Sequence, residues 1–177
     1  MPMEKLIEQE EGMDSLIERV GLYIPIYRGY KEQNLRRDED RAIRQELVLT
    51  LEGAEENMKV ISEASAESTD IAADVDRISE KINVFLESVA ENVNGYSGWH
   101  ASADSLEKEM EELVSLDSKL IEDTVLLRGT VANLVQKIDL GEYAIMTPLK
   151  EIEKILDRLI EDYDGRETVM KKFLKEV

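Results

Sequence analysis

Apolar residues recur at spacings of three and four over four long stretches of this chain, and no stretch alternates apolar with polar at every second position. That periodicity predicts amphipathic helices and no strands. The clearest case is 101 to 138, where Leu106, Leu113, Leu120, Leu127 and Leu134 stand seven apart, with Met110, Val131 and Ile138 at interleaved positions. Such a seam belongs to a helix paired along its length. Asp117 and Thr124 fall in the interleaved set, where a polar residue lowers stability but selects one register. In the stretch from 30 to 93, Leu47, Leu51, Ala54, Met58 and Ile61 follow the same alternation of four and three. The count continues through Ser65, Ser68, Ala72, Val75, Ser79, Ile82, Leu86, Val89 and Val93. The register favours one helix of roughly 95 Å at 1.5 Å per residue. A break near 65 to 69, where Thr69 and Asp70 could open a new helix, would give a compact four-helix bundle instead.

Glycine and proline mark the joints: Gly21, Pro25 and Gly29, then Gly95 and Gly98, then Gly141 and Pro148. They divide a single domain, 1 to 177, into an N-terminal helix 3 to 20, an aromatic linker 21 to 29, the long helix 30 to 93, a return helix 101 to 138 and a C-terminal helix 148 to 177. Thr147 reads as the N-cap of the last, with Pro148 at its first position. Leu149, Ile152, Leu156, Leu159 and Tyr163 form its buried stripe, and Gly165 is a candidate kink. The short connection Asn94 to His100 predicts that the second and third helices run antiparallel as neighbours. The expected fold is therefore all-α, a long coiled-coil-like antiparallel hairpin within a three- or four-helix bundle. A 95 Å helix with a shorter partner would leave Leu47 and Leu51 uncovered, which predicts a homodimer.

Charge narrows the choice of partner. Asp and Glu number 40 against 22 Lys and Arg, a net charge of -18, so most of the surface repels a phosphate backbone and nucleic acid is not expected. Without cysteine there is no disulfide, thiolate zinc site or cysteine nucleophile. Glu4, Glu8, Glu10 and Glu11 around Leu6 and Ile7 do not make a signal peptide, and no apolar run approaches the roughly 20 residues of a spanning helix. A cytoplasmic protein is expected.

The one histidine, His100, lies beside Trp99 in a Gly-Tyr-Ser-Gly-Trp-His turn. Neither an oxyanion hole nor an orienting acid stands at recognisable spacing from Ser97 and His100, so an aromatic plug of Tyr96 and Trp99 is favoured over catalysis. A single histidine cannot supply the two Glu-x-x-His motifs of a di-iron bundle, and no phosphate-binding glycine loop occurs. The expectation is therefore no enzyme, no catalytic residue, no cofactor and no metal.

Residues 21 to 44 differ in kind. Tyr23, Tyr27 and Tyr30 fall within eight residues, and 28 to 44 carries six basic and four acidic residues within an acidic chain. Glu32, Arg36, Asp40 and Arg44 can satisfy one another at i, i+4. The alternative is a docking surface built from Tyr23, Tyr27, Arg28, Tyr30, Arg37, Arg41 and Arg44, since tyrosine and arginine dominate binding energy at interfaces. The hairpin tip at Tyr96, Trp99 and His100 is the second candidate. These features favour a helical scaffold or adaptor for protein partners, with peripheral attachment to an anionic membrane surface through 23 to 44 as the alternative.

The run Tyr27-Arg28-Gly29-Tyr30-Lys31-Glu32, followed by Leu35-Arg36-Arg37, Asp40 and Arg44, resembles the opening signature of a group of helical proteins of archaea and bacteria. Gly95-Tyr96-Ser97-Gly98 is similar to that group's second signature. Gln33 and Asn34 stand where the group has Lys and Glu, and Trp99-His100 depart from it as well. The resemblance implies a helical architecture over roughly 25 to 137. It brings no activity, because the group has no established one.

Overall fold

A computed structural model describes residues 3 to 92 and 107 to 174, with side chains from 12 to 92 and from 107 to 173. Its helices are α1 (Met3–Gly21), α2 (Arg36–Ala64), α3 (Thr69–Asn92), α4 (Glu107–Asp139) and α5 (Met146–Leu174), and a 3₁₀ turn at Gln33–Leu35 leads into α2. Among the described residues there is no strand. The all-α bundle read from the sequence is the fold.

The long helix is not continuous. It breaks at 65 to 68, where the Ser65 hydroxyl donates to its own helix at the Ile61 carbonyl, 2.8 Å away. Serine in this role competes with the helical ladder, and three residues on, the Ser68 carbonyl already accepts from Ala72 as α3 begins. The turn lets α3 fold back along α2. The apolar seam also changes phase there: Val75, Ile82 and Val89 stay buried as counted, but Ile78 and Phe85 replace Ser79 and Leu86 as the other buried row. The heptad count ran through the break because Ser65 itself sits inward, 5% exposed.

Ion pairs fix the relative directions. Asp117 pairs with Arg166 and Asp123 with Arg158, so α4 and α5 are antiparallel. Arg77 and Lys81 meet Glu153 and Asp157, so α3 and α5 run parallel. Arg128 reaches Glu46 and Thr50, while Arg166 bridges Asp117 to Asp40, which makes α2 and α4 parallel neighbours. The antiparallel hairpin is thus α2 with α3, and α4 lies against α2 and α5 rather than against α3. The connection 94 to 100, on which the other arrangement rested, lies outside the described residues.

The main core gathers Leu47, Leu51, Met58 and Ile61 of α2 with Ile78 and Ile82 of α3, Leu120, Leu127 and Leu134 of α4, and Leu149 to Leu159 of α5. Leu47 and Leu51 are covered within one chain, at 2% and 0% exposure. This removes the ground on which the sequence suggested a dimer. A second cluster lies beside it, where Val20, Ile24, Tyr27 and Tyr30 meet Ile43, Leu113, Val114, Val169, Met170 and Phe173. In this way α1 and the linker are closed over the starts of α2 and α4 and the end of α5. At its other end, α5 begins at Met146, with the Leu149 amide on the Ile145 carbonyl, so Thr147 lies inside the first turn rather than at the cap. Gly165 interrupts nothing, because α5 continues through it.

Candidate functional site

The linker between α1 and α2 has two faces. Backbone bonds from Ile24 to Val20 and from Tyr27 to Ile24 wind it tightly after α1, and Gly29 and Tyr30 then both take left-handed backbone, at φ 68° and 64°. Glycine is needed at the first: a Cβ there would stand 2.5 Å from Ile17 Cδ1. Tyrosine at the second costs about 1–2 kcal/mol, a strain offset by what the side chain then reaches.

Inside, Tyr27, Tyr30, Arg36, Glu39, Asp40, Arg44, Asp117 and Arg166 are buried together. Asp117 is the hub. Its Oδ2 accepts from the Tyr27 hydroxyl at 2.8 Å and from the Tyr30 hydroxyl, and its Oδ1 accepts from Arg166 Nε at 2.6 Å. Arg166 also donates to Asp40 at 2.7 Å and to the Tyr30 hydroxyl at 2.9 Å. Arg44 pairs with Asp40 at 3.2 Å and with Glu167 at 2.6 Å, and donates to the Tyr163 hydroxyl at 2.6 Å. Arg36 holds the Tyr30 carbonyl at 2.7 Å. Glu39 accepts the backbone N–H groups of Arg28 and Tyr30 on one oxygen. The tyrosine rings of 27 and 30 meet edge to face, with centroids 5.5 Å apart.

Electrostatics follow from burial and pairing. Burial works against the Arg166 charge, but Asp117, Tyr30 and Asp40 outweigh it and hold the guanidinium well above its ordinary value. Burial, reinforced by the Asp117 charge, pushes the Tyr27 and Tyr30 hydroxyls well above the ordinary tyrosine value, and burial alone leads at Tyr163. These hydroxyls therefore stay protonated: those of Tyr27 and Tyr30 donate to Asp117, and that of Tyr163 accepts from Arg44. Because their folded-state values are raised, they stabilise fully below the unfolded tyrosine value of about 10 and lose that contribution as pH climbs toward the folded values. An alkaline titration followed by tyrosinate absorbance is expected to show these three ionising only together with loss of helical circular dichroism. Smooth ionisation of all tyrosines while the helix signal persists would contradict this burial.

Facing outward from the same linker are Leu22, 80% exposed, Tyr23, 48%, and Ile26, 46%. The Arg28 guanidinium stands beside them, bonded to the Pro25 and Tyr27 carbonyls at 2.8 and 2.9 Å. A groove of about 460 Å³ runs next to this face, lined by Val20, Leu22, Tyr23, Ile121 and Val125 with Arg19 and Glu122 at its polar edge.

The sequence candidates therefore divide. Tyr23, Arg28, Arg37 and Arg41 are exposed, whereas Tyr27, Tyr30 and Arg44 are buried and cannot touch a partner in this state. Tyr27 and Tyr30 fasten the linker to the bundle through Asp117, while Arg44 ties α2 to α5. The anticipated ladder survives as Asp40 with Arg44 alone, since Arg36 turns to a carbonyl and Glu32 is exposed. Of the two polar seam positions, Asp117 organises the network, while Thr124 bonds only to the Leu120 carbonyl of its own helix, at 2.5 Å. Tyr96, Trp99 and His100 lie outside the described residues. Arg166, Glu167 and Glu39 were missed. Arg166 had a signal: it continues the α5 stripe of 149, 152, 156, 159 and 163, at a spacing of three.

Among the described residues no cluster of His, Cys, Asp and Glu could hold a metal ion, and no helix is long and apolar enough to cross a membrane. No family model, curated protein or solved structure matches the chain significantly.

Proposed function

We propose that this protein is a non-enzymatic helical scaffold that docks a protein partner on the outer face of the α1–α2 linker. The observation carrying this reading is the division of one short segment into an anchored inner face and an exposed apolar outer face. Ile24, Tyr27 and Tyr30 fix the loop from behind, and Leu22, Tyr23 and Ile26 are left in water. Apolar side chains on a loop that is already rigid lose little entropy on binding, which is where affinity is gained.

A second reading, peripheral attachment to anionic lipid headgroups, is favoured by the charge of the same region. Arg36 and Arg44 are buried with Glu39 and Asp40, so the exposed residues of 28 to 44 are Arg28, Lys31, Arg37 and Arg41 against Glu32 and Asp38, four cations to two acids. The net +2 of the segment is thus carried on its surface.

The test pairs Leu22→Asp with Ile26→Asp. Both sites are exposed, so the double variant is expected to melt within about 1 kcal/mol of the wild type. A photo-crosslinker in place of Tyr23 is expected to give a discrete protein adduct in the wild type and none in the variant. An adduct of equal yield in both backgrounds would remove the linker face from consideration. Flotation with anionic vesicles that salt abolishes, without any protein adduct, would replace the leading reading by the second.

A further inference from the structure

We propose that Glu39 is a proton switch for the linker that presents Leu22, Tyr23 and Ile26: its protonated form staples the loop and its ionised form loosens it. The proposal concerns regulation of the surface just described and rests on that reading for its functional meaning.

The geometry of Glu39 is unusual in three respects. The residue is 0% exposed. One carboxyl oxygen accepts both linker amides, from Arg28 and Tyr30, across the left-handed turn at Gly29, so this side chain closes the loop onto the start of α2. The other oxygen is buried with no hydrogen-bond partner. A carboxylate in that position leaves half its charge unsolvated, whereas a carboxyl group keeps the accepting oxygen and sheds the charge.

The surroundings favour the same form. Arg36, Arg44 and Arg166 face four acids, Glu39, Asp40, Asp117 and Glu167, so the network holds one negative charge in excess. Two of the arginines are committed elsewhere, Arg166 to Asp117 and Asp40 and Arg44 to Asp40 and Glu167, while Arg36, which donates through Nε to the Tyr30 carbonyl, attracts the Glu39 charge from the same helix and opposes the effect of burial. From α4 the charge nearest in effect is Asp117, which repels a second carboxylate. From the linker it is Arg28, whose guanidinium is turned to carbonyls and attracts only weakly. Burial raises the Glu39 carboxyl above the ordinary glutamate value, the two amides oppose it, and Asp117 adds to the rise. A raised acid binds its proton more tightly when the loop is closed than when it is open. Closure is therefore favoured at low pH and is lost as pH rises from the ordinary glutamate value through the raised one.

Amide hydrogen exchange of Arg28 and Tyr30 in the full chain reads this directly, with no partner present. After correction for intrinsic rates, their protection is expected to fall by up to about tenfold per pH unit across that window, the limit for one proton. In Glu39→Gln, which keeps an accepting oxygen and cannot ionise, the profile is expected to be flat. Flat protection in the wild type, or an unchanged slope in the variant, overturns the proposal. Should Glu39→Gln fail to fold, the carbon resonance of the Glu39 carboxyl in the wild type decides instead: a midpoint above the ordinary glutamate range supports the switch, and one within it overturns the switch. Because these readouts are independent of binding, loss of the docking face leaves them standing, and a failed switch leaves the crosslinking result untouched.

Discussion

Arg166→Met is expected to destabilise the bundle by about 3–5 kcal/mol, because it leaves Asp117 and Asp40 charged, buried and short of their main partner. For a chain of this size that corresponds to a fall in melting temperature of roughly 6–20 °C. The comparison is Arg158→Met. Arg158 makes a geometrically similar pair with Asp123 at 2.9 Å, but half of its side chain is exposed, and solvent and side-chain entropy reduce such a pair to about 1 kcal/mol or less. Thermal melts of the two variants side by side separate a buried network from a surface one. Equal shifts would mean that Arg166 is no more than another exposed arginine.

Gly29→Ala is expected to be the second most damaging single change, by about 2–5 kcal/mol. Left-handed backbone at φ 68° costs a residue with a Cβ about 1–2 kcal/mol. The new methyl also meets Ile17 Cδ1 and Cγ1 at 2.5 and 2.9 Å, an overpacking of about 1–3 kcal/mol. The two contributions separate in a double-mutant cycle with Ile17→Ala, which removes the collision and leaves the backbone strain. Denaturant melts of the four proteins measure the cycle. A Gly29→Ala protein as stable as the wild type would show that the turn after Tyr27 is not the one described.

The bundle and most of its buried stripes were legible because they rest on periodicity. Leu113, Leu120, Leu127 and Leu134 are all buried as their spacing required, and so are Leu149, Ile152, Leu156, Leu159 and Tyr163. The break at Ser65 was not favoured, because a serine that bends a helix by bonding to the carbonyl four residues back occupies the same seam position as one that tolerates burial in a continuous helix. Neighbour relations were not legible either: spacing sets which face of α4 is apolar but not whether α2 or α3 covers it. The network was written in the seams without being read as one. Asp40 and Arg44 continue the α2 seam backward from Leu47, Asp117 lies in the α4 seam and Arg166 in the α5 seam. Charged residues at seam positions of three helices must be brought to the same height to be tolerated. That condition could have picked out Arg166 and shown that Arg44 belongs to the interior.

The same network orders events while the chain is being made. Tyr30 and Arg166 are 136 residues apart. At about 5–20 residues per second of synthesis, roughly 7–27 s pass between the appearance of the linker and that of its last partner. In that interval α2 and α3 can pair through their four-residue turn, because local contacts form first. Asp40, Arg44 and the linker tyrosines stay in water until α4 brings Asp117 and α5 brings Arg166. The nascent chain therefore carries, at one end of a preformed helix pair, a set of polar groups still waiting for Asp117 and Arg166. Closing the network needs Arg166, so it waits for α5 to be made.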